Sequence, residues 1–116
     1  MRGGRRAGDR ASYGPLIFVV TREPLALRFW EALLIERRFA VVPFGEPAQA
    51  LEMYAALRPD AIVASKRDLP MLRQRLSFGG RDPVTPLVEL VSTPDLVEPV
   101  MQAIRRALRA PHRMAS

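Results

Sequence analysis

Two apolar runs in this chain end in hydroxyl-bearing and basic side chains, which are residue types that can bind or transfer phosphate. Leu16–Val20 is followed by Thr21 and Arg22, and Ala61–Ala64 is followed by Ser65. If both runs are parallel strands, these side chains lie at the carboxyl edge of one sheet, where α/β proteins place their ligands. Neither strand end carries the carboxylates that hold Mg²⁺. The strand ends are therefore where a phosphate-handling site would lie, but they lack the acids that such a site needs, which suggests a scaffold whose chemistry has been lost.

The hydroxyls by themselves do not predict an enzyme. A serine is a weak nucleophile without an adjacent base, and Ser65 is followed by Lys66 and Arg67 rather than by histidine. The chain has no cysteine, and its one histidine, His112, lies near the C-terminus, so neither thiol catalysis nor a histidine metal site is expected. No glycine-rich phosphate loop and no Ser-His-Asp spacing is present. We predict no catalytic residue, no metal and no cofactor, and an enzyme that uses Ser65 or Thr21 is the least favoured alternative.

The chain has the size and composition of one globular domain. Its 116 residues are 48% hydrophobic and 26% charged. No apolar run approaches the roughly 20 residues of a membrane span, and the N-terminus lacks the apolar stretch of a secretory signal. We therefore expect a cytoplasmic protein that does not contact a membrane.

The net charge of +6 raises the question of an acidic partner such as nucleic acid. Four arginines fall in the glycine-rich segment 1–14, which has no apolar periodicity and is predicted to be a disordered basic leader. Residues 111–116 are predicted to be a flexible tail. Beyond the leader, arginines alternate with glutamate and aspartate, which is typical of solvated helix faces. The charge therefore leaves nucleic-acid binding as an alternative.

Strands and helices alternate along residues 15–110. Strands are predicted at Leu16–Val20, Phe39–Val42, Ala61–Ala64 and Leu87–Val91. Helices are predicted from Pro24 to about Arg37, over Glu46–Leu57, over Pro70–Phe78, and after Thr93-Pro94-Asp95. The last helix is expected to bury Val97, Met101, Ile104 and Leu108, with Pro99 bending it or delaying its start. The alternation predicts an α/β domain with a doubly wound parallel sheet of four or five strands and helices on both faces.

Three segments resemble response-regulator receiver domains. Val19–Pro24, Leu57–Ser65 and Asp68–Pro70 look like the end of the first strand, the third strand and the following loop of that family. The resemblance covers about residues 15–110 and is most specific at Arg58-Pro59-Asp60. It implies a flavodoxin-like sheet of order 2-1-3-4-5 with its site at the carboxyl ends of the strands. It also implies Mg²⁺ binding and phosphoryl transfer from a histidine kinase to an aspartate.

The positions that the resemblance would make functional depart from the family pattern. The acidic pair that holds the metal falls on Thr21 and Arg22, and the phosphoacceptor falls on Ser65. The switch hydroxyl has candidates in Ser92 and Thr93, of which Thr93 is better explained as a helix N-cap. The resemblance therefore predicts a degenerate, or pseudo-receiver, site.

The chain is also shorter than a receiver. Between Leu87–Val91 and the last helix only Ser92 and Thr93 remain, where a receiver has a helix and a strand of roughly 20 residues together. The fourth strand would then be a sheet edge, and exposed edges pair with other chains unless they are blocked. Glu89 in this strand is a candidate partner-contacting residue, either as a charge that blocks pairing, which we favour, or as the partner of an arginine. Exchange of the missing unit between two chains is a further route to a dimer.

The first helix carries apolar residues around most of its circumference. One face, which we assign to the sheet, consists of Leu25, Phe29, Ala32 and Leu33. A second face, which we assign to a protein partner, consists of Leu27, Trp30 and Leu34. Ordinary packing of Trp30 in the core remains an equally good interpretation.

The pattern as a whole favours a receiver-like signalling or scaffold module that acts by protein–protein interaction without phosphorylation, with homodimerisation as its main mode. The alternative is binding of nucleic acid or another acidic partner through the arginine-rich surface. Arg22, Lys66 and Arg67 could make a basic pocket above the sheet, although a solvated charge cluster is the favoured interpretation. No helix-turn-helix or aromatic stacking platform supports nucleic-acid binding.

Overall fold

Four strands and four helices alternate along residues 14–79, 85–90 and 97–109, which are the residues that the computed structural model describes. The strands are β1 (Leu16–Val20), β2 (Ala40–Phe44), β3 (Ala61–Ser65) and β4 (Leu87–Leu90), and the helices are α1 (Pro24–Glu36), α2 (Pro47–Leu57), α3 (Leu69–Gly79) and α4 (Val97–Arg109). All eight elements lie where the sequence predicted them, within a few residues. The predicted leader, apart from Gly14, and the predicted tail lie outside the described residues. None of the helices in the described ranges is long and apolar enough to cross a membrane.

The described strands form one sheet in which every pairing is parallel. The order is β2-β1-β3-β4, so β1 and β3 are central and β2 and β4 are edges. Central strands of such a sheet are covered on both faces, which explains why β1 and β3 are continuous apolar runs rather than alternating ones. The prediction of an α/β fold with a parallel sheet is confirmed, and the order is that of the first four strands of flavodoxin-like folds.

Helices cover both faces of the sheet, as predicted. Ile17 and Val19 of β1 belong to a core cluster that includes residues of α1 and α4. Phe18 and Val20, which point to the opposite face, belong to a second cluster that includes residues of α2 and α3. The domain is therefore doubly wound, with two apolar layers that share one sheet.

β2 extends two residues further than the sequence predicted. The expected strand Phe39–Val42 stopped before Pro43, whereas the observed strand runs through Pro43 to Phe44. A proline has no N–H to donate, but an edge strand needs hydrogen bonds on one side only. Phe44 then packs edge-on against Phe18, with ring centroids 4.8 Å apart. The proline therefore marks an edge strand and not the end of one.

The structure reverses the assignment of the two apolar faces of α1 except at Leu33, which packs against the core as predicted. Trp30 is 1% exposed and Leu34 is fully buried, and Leu27 packs against the same core cluster. The face predicted to bind a partner therefore lies against the sheet. Burial of the Trp30 indole and of the Leu34 side chain stabilises this orientation. Leu25 and Phe29, which were assigned to the sheet, are 80% and 46% exposed.

The last helix packs as predicted at its centre. Met101 and Ile104 are fully buried, and Val97 and Leu108 pack against the same cluster at the edges of the helix. Pro99 lies in the first turn, where no intrahelical hydrogen bond requires its N–H. The helix therefore begins at Val97 and includes the proline.

Candidate functional site

The carboxyl ends of β1 and β3 lie side by side, because these two strands pair directly. Thr21 and Arg22 follow β1, and Ser65 is the last residue of β3. Three of the predicted site residues therefore lie at the carboxyl edge of the sheet, by which we mean the carboxyl ends of its strands and not an outer strand. The fourth, Ser92, lies outside the described residues.

The centre of this edge is the carboxylate of Asp68, a residue that is only 3% exposed. One guanidinium nitrogen of Arg22 donates to its Oδ1 at 3.4 Å, and the hydroxyl of Ser65 donates to its Oδ2 at 3.1 Å. The other terminal nitrogen of Arg22 lies 4.0 Å from a carboxylate oxygen of Glu46. A buried carboxylate is tolerated when it is paired and hydrogen-bonded, and Arg22 and Ser65 meet that requirement. We call these four residues the Asp68 network.

The turn between β3 and α3 places Asp68 inside the network. The N–H of Asp68 donates to the carbonyl of Ser65 at 2.9 Å, which closes the turn after the strand. The carbonyl of Asp68 accepts the N–H of Leu72 at 3.1 Å, so Asp68 immediately precedes the first turn of α3. A carboxylate is stabilised at that place by the positive end of the helix dipole. Local helix geometry and the ion pair therefore hold the same side chain.

Thr21 is part of the backbone architecture of this edge. It is 2% exposed, and its Oγ1 accepts the N–H of Glu23 at 3.3 Å. Its own N–H donates to the carbonyl of Phe44 at 3.2 Å. The hydroxyl thus shapes the entry to α1, whose own N-cap, Glu23, makes no side-chain capping bond. Thr21 is not presented to solvent as a ligand group.

The Arg-Pro-Asp segment, which was the most specific part of the resemblance, also has an architectural role. The carboxylate of Asp60 accepts the N–H of Leu16 at 2.8 Å, and the N–H of Asp60 donates to the carbonyl of Leu16 at 2.8 Å. Pro59 is buried, and Arg58 ends α2 in a left-handed conformation with φ of 47°. These contacts join the starts of β1 and β3, at the opposite end of the strands from the Asp68 network.

The polar groups of the Asp68 network are paired with one another. Arg22 contributes a positive charge where a cation site needs ligand oxygens, and the proton of Ser65 is directed at a carboxylate that Arg22 already pairs. Within the described ranges there is no group of three or more histidine, aspartate, glutamate or cysteine side chains placed to hold a metal ion. In the same ranges no buried side-chain nitrogen or oxygen lacks a hydrogen-bond partner. The geometry therefore describes a closed ion-pair network.

The three basic residues near this end of the strands, which were considered as a pocket, differ in what they contact. Arg22 is half exposed and is directed to Asp68 and Glu46. Lys66 and Arg67 are exposed in the turn after β3. The geometry agrees with the favoured interpretation, in which Lys66 and Arg67 are solvated charges.

The remaining predicted partner residue, Glu89, is exposed on β4, opposite Ala64 of β3. Since β4 is an edge of the described sheet, Glu89 stands where a further strand would pair. Its ion pairing to an arginine is not seen within the described residues. The interpretation as an edge charge therefore remains the favoured one.

Sequence reasoning missed Asp68 and Glu46 as members of the site. Asp68 precedes Leu69-Pro70, and an aspartate followed by proline within the first helical turn is an N-terminal helix signal. That signal could have placed Asp68 at the start of α3, one short turn after Ser65. Nothing in the spacing predicts its ion pair with Arg22, which is 46 residues away.

No protein-family model, no curated protein and no solved structure matches this chain. The resemblance to receiver domains therefore rests on the residues quoted above and on the strand order.

Proposed function

We propose that this chain is a receiver-like module of signalling or scaffold type that works by protein–protein interaction, without phosphorylation and without a metal. The strand order supports a relationship to receiver architecture, although fold alone does not determine function. The observation that carries the proposal is the Arg22–Asp68 ion pair, which fills the edge of the sheet where phosphate chemistry would take place.

The ion pair argues against transfer of phosphate to Ser65. A nucleophilic hydroxyl needs a base that can accept its proton, and the carboxylate beside Ser65 is already bound to a guanidinium. Arg22 would also repel the divalent ion that supports such a transfer, and no second carboxylate contacts Ser65 among the described residues. The site therefore supplies rigidity between the β1 and β3 loops.

The interaction half of the proposal is supported by α1. Leu25 is 80% exposed, Ile35 is 53% exposed and Phe29 is 46% exposed, all on the side of the helix that faces solvent. Single exposed apolar residues are ordinary, but several on one helix face mark a contact surface. Homodimerisation is the proposed mode of contact.

The test is exposure of the purified chain to acetyl phosphate and Mg²⁺, followed by intact-mass measurement and Trp30 fluorescence. Trp30 is the chain's one tryptophan and is buried between α1 and the sheet, so it reports rearrangement of that layer. We expect no mass increase and no spectral change, with an active receiver domain as the positive control. A phosphorylated product that is absent from a Ser65→Ala variant would overturn the proposal.

A second candidate function is binding of an acidic partner, nucleic acid included, at the turn after β3 and the helix α3 that follows it. Lys66, Arg67 and Arg75 are exposed along this segment, and its only acid among residues 65–76, Asp68, is buried. Titration with labelled DNA, RNA and polyglutamate at several salt concentrations tests it. Binding that falls steeply with salt and is lost in Lys66→Glu/Arg67→Glu, but not in Arg105→Glu/Arg106→Glu on α4, would establish this function.

A further inference from the structure

The solvent-facing side of α1 forms a surface with an unusual composition for an exposed helix. We call it the outer face of α1, and it consists of Leu25, Arg28, Phe29, Ala32, Ile35 and Glu36, all of which are exposed. Four of these six residues are apolar. The two charges are of opposite sign and lie towards opposite ends of the helix.

Ala32 is the centre of this face, and the charges are arranged evenly about it. Arg28 lies four residues before Ala32 and Glu36 lies four residues after it, so each charge is about one helical turn, roughly 6 Å, from the centre. Phe29 and Ile35 lie three residues to either side. A residue with a side chain of one methyl group at the centre allows another helix to approach closely.

We infer that the outer face of α1 binds the same face of a second copy, with the two helices antiparallel about a two-fold axis at Ala32. This inference rests on the proposed function, because it names the partner of the proposed interaction module. In a two-fold dimer each contact occurs twice, so a residue before the axis meets one that lies after it. Arg28 of one copy is then level with Glu36 of the other, and Phe29 is level with Ile35.

The charges favour a second copy over another kind of partner. A surface with a positive residue at one end and a negative residue at the other is complementary to itself when it is turned end for end. A partner of uniform charge would meet repulsion at Arg28 or at Glu36. The apolar residues between the charges provide the desolvated centre of the interface.

The size of the face predicts a weak dimer. α1 has 13 residues, which corresponds to a length of about 20 Å. One helix face of that length is small compared with the roughly 800 Å² per partner of a standard stable interface, so association should depend on concentration in the micromolar range or above. Measurements must therefore cover a wide range of protein concentration.

The experiment is sedimentation velocity on the intact chain over that concentration range, with four variants and two controls. Ala32→Arg places two arginines next to each other at the two-fold axis, one from each copy. We expect the dissociation constant of the dimer to rise about a hundredfold. Arg28→Glu alone and Glu36→Arg alone each create two like-charge pairs and should weaken the dimer about tenfold. The double variant Arg28→Glu/Glu36→Arg restores opposite charges across the axis and should recover most of the affinity.

The controls carry the same charge changes on exposed residues of other helices, Arg105→Glu on α4 and Glu52→Arg on α2. Recovery in the double variant supports the two-fold arrangement, because Arg28 and Glu36 are too far apart to pair within one helix. A dimer whose affinity is unchanged by Ala32→Arg and by each of the two single charge reversals would overturn this interface and leave dimerisation itself intact. A chain that remains monomeric at every concentration would overturn both, while the acetyl phosphate experiment would still decide whether the module works without phosphorylation.

Discussion

α1 and α4 cover the same face of the sheet, have the same length, and differ in what they present to solvent. On α4 the buried residues are Val100, Met101 and Ile104, and the exposed non-proline residues are all charged or amide side chains. On α1 the buried residues are Trp30 and Leu34, yet leucine, phenylalanine and isoleucine are also found on the exposed side. α4 has the pattern of a helix that only covers a sheet. α1 carries apolar surface that packing on the sheet does not use, which is why we assign the interaction to it.

The largest expected effects come from the inner faces, where the two helices should behave alike. Leu34→Ala on α1 and Ile104→Ala on α4 each empty a fully buried position and should each lower the free energy of unfolding by about 2–5 kcal/mol. Urea denaturation of dilute protein, followed by circular dichroism, measures both. Gln102→Ala on the exposed side of α4 is the control. A loss for Leu34→Ala as small as the control's would mean that this leucine is not in the core.

The next effect concerns the polar contact between the loops that follow β1 and β3. Asp68→Ala removes the buried partner of Arg22 and Ser65 and the residue that immediately precedes α3, and it should cost about 1–3 kcal/mol of unfolding free energy. Combining it with Arg22→Gln makes a double-mutant cycle that isolates the ion pair. If the two losses simply add, the contact between Arg22 and Asp68 contributes nothing to stability. The Asp68 network would then not be what joins the loops after β1 and β3.

Substitutions on the exposed sides of α1 and α4 should differ in their effect on self-association and not in their effect on the free energy of unfolding. Leu25→Gln on α1 replaces an exposed leucine and should change the unfolding free energy by no more than about 0.5 kcal/mol. It should nevertheless reduce self-association in sedimentation experiments. Arg106→Gln on α4 is the matched surface control and should change neither quantity. A large stability loss in Leu25→Gln at low concentration would indicate that Leu25 is covered within one chain.

Much of the fold could be predicted from the sequence because β1 and β3 are buried on both faces and therefore read as continuous apolar runs. The extent of β2 could not, since Pro43 ends an interior strand but is tolerated at an edge, and edge position is a property of the whole sheet. The orientation of α1 was wrong for a related reason. A helix with apolar residues on two faces offers no single periodic signal, and the packing on the sheet decides which face is buried.

The sequence predicted where the candidate site lies, but it predicted only some of the residues that form it. Strand ends locate Thr21, Arg22 and Ser65, because local apolar runs determine where the strands stop. Asp68 is placed by a local turn that the sequence signals, but its pairing with Arg22 depends on the loops after two different strands meeting in space. Such long-range polar contacts are the part of a site that spacing along one chain does not encode.

The smallest expected effect belongs to the contact that joins the two compared helices. Arg37, just after α1, donates to Glu98 in the first turn of α4 at 3.3 Å, and both side chains are partly exposed. A solvent-exposed ion pair is screened by water and salt, so Glu98→Gln should lower the unfolding free energy by at most a few tenths of a kcal/mol, which corresponds to the low end of surface pairs. Urea denaturation at low and high salt, alongside Arg37→Gln and the double variant, measures the coupling. A coupling between Arg37 and Glu98 as large as that between Arg22 and Asp68 would mean that burial is not what distinguishes the two ion pairs. It would also mean that the position of α1 depends on α4 as much as on the loop that holds Asp68.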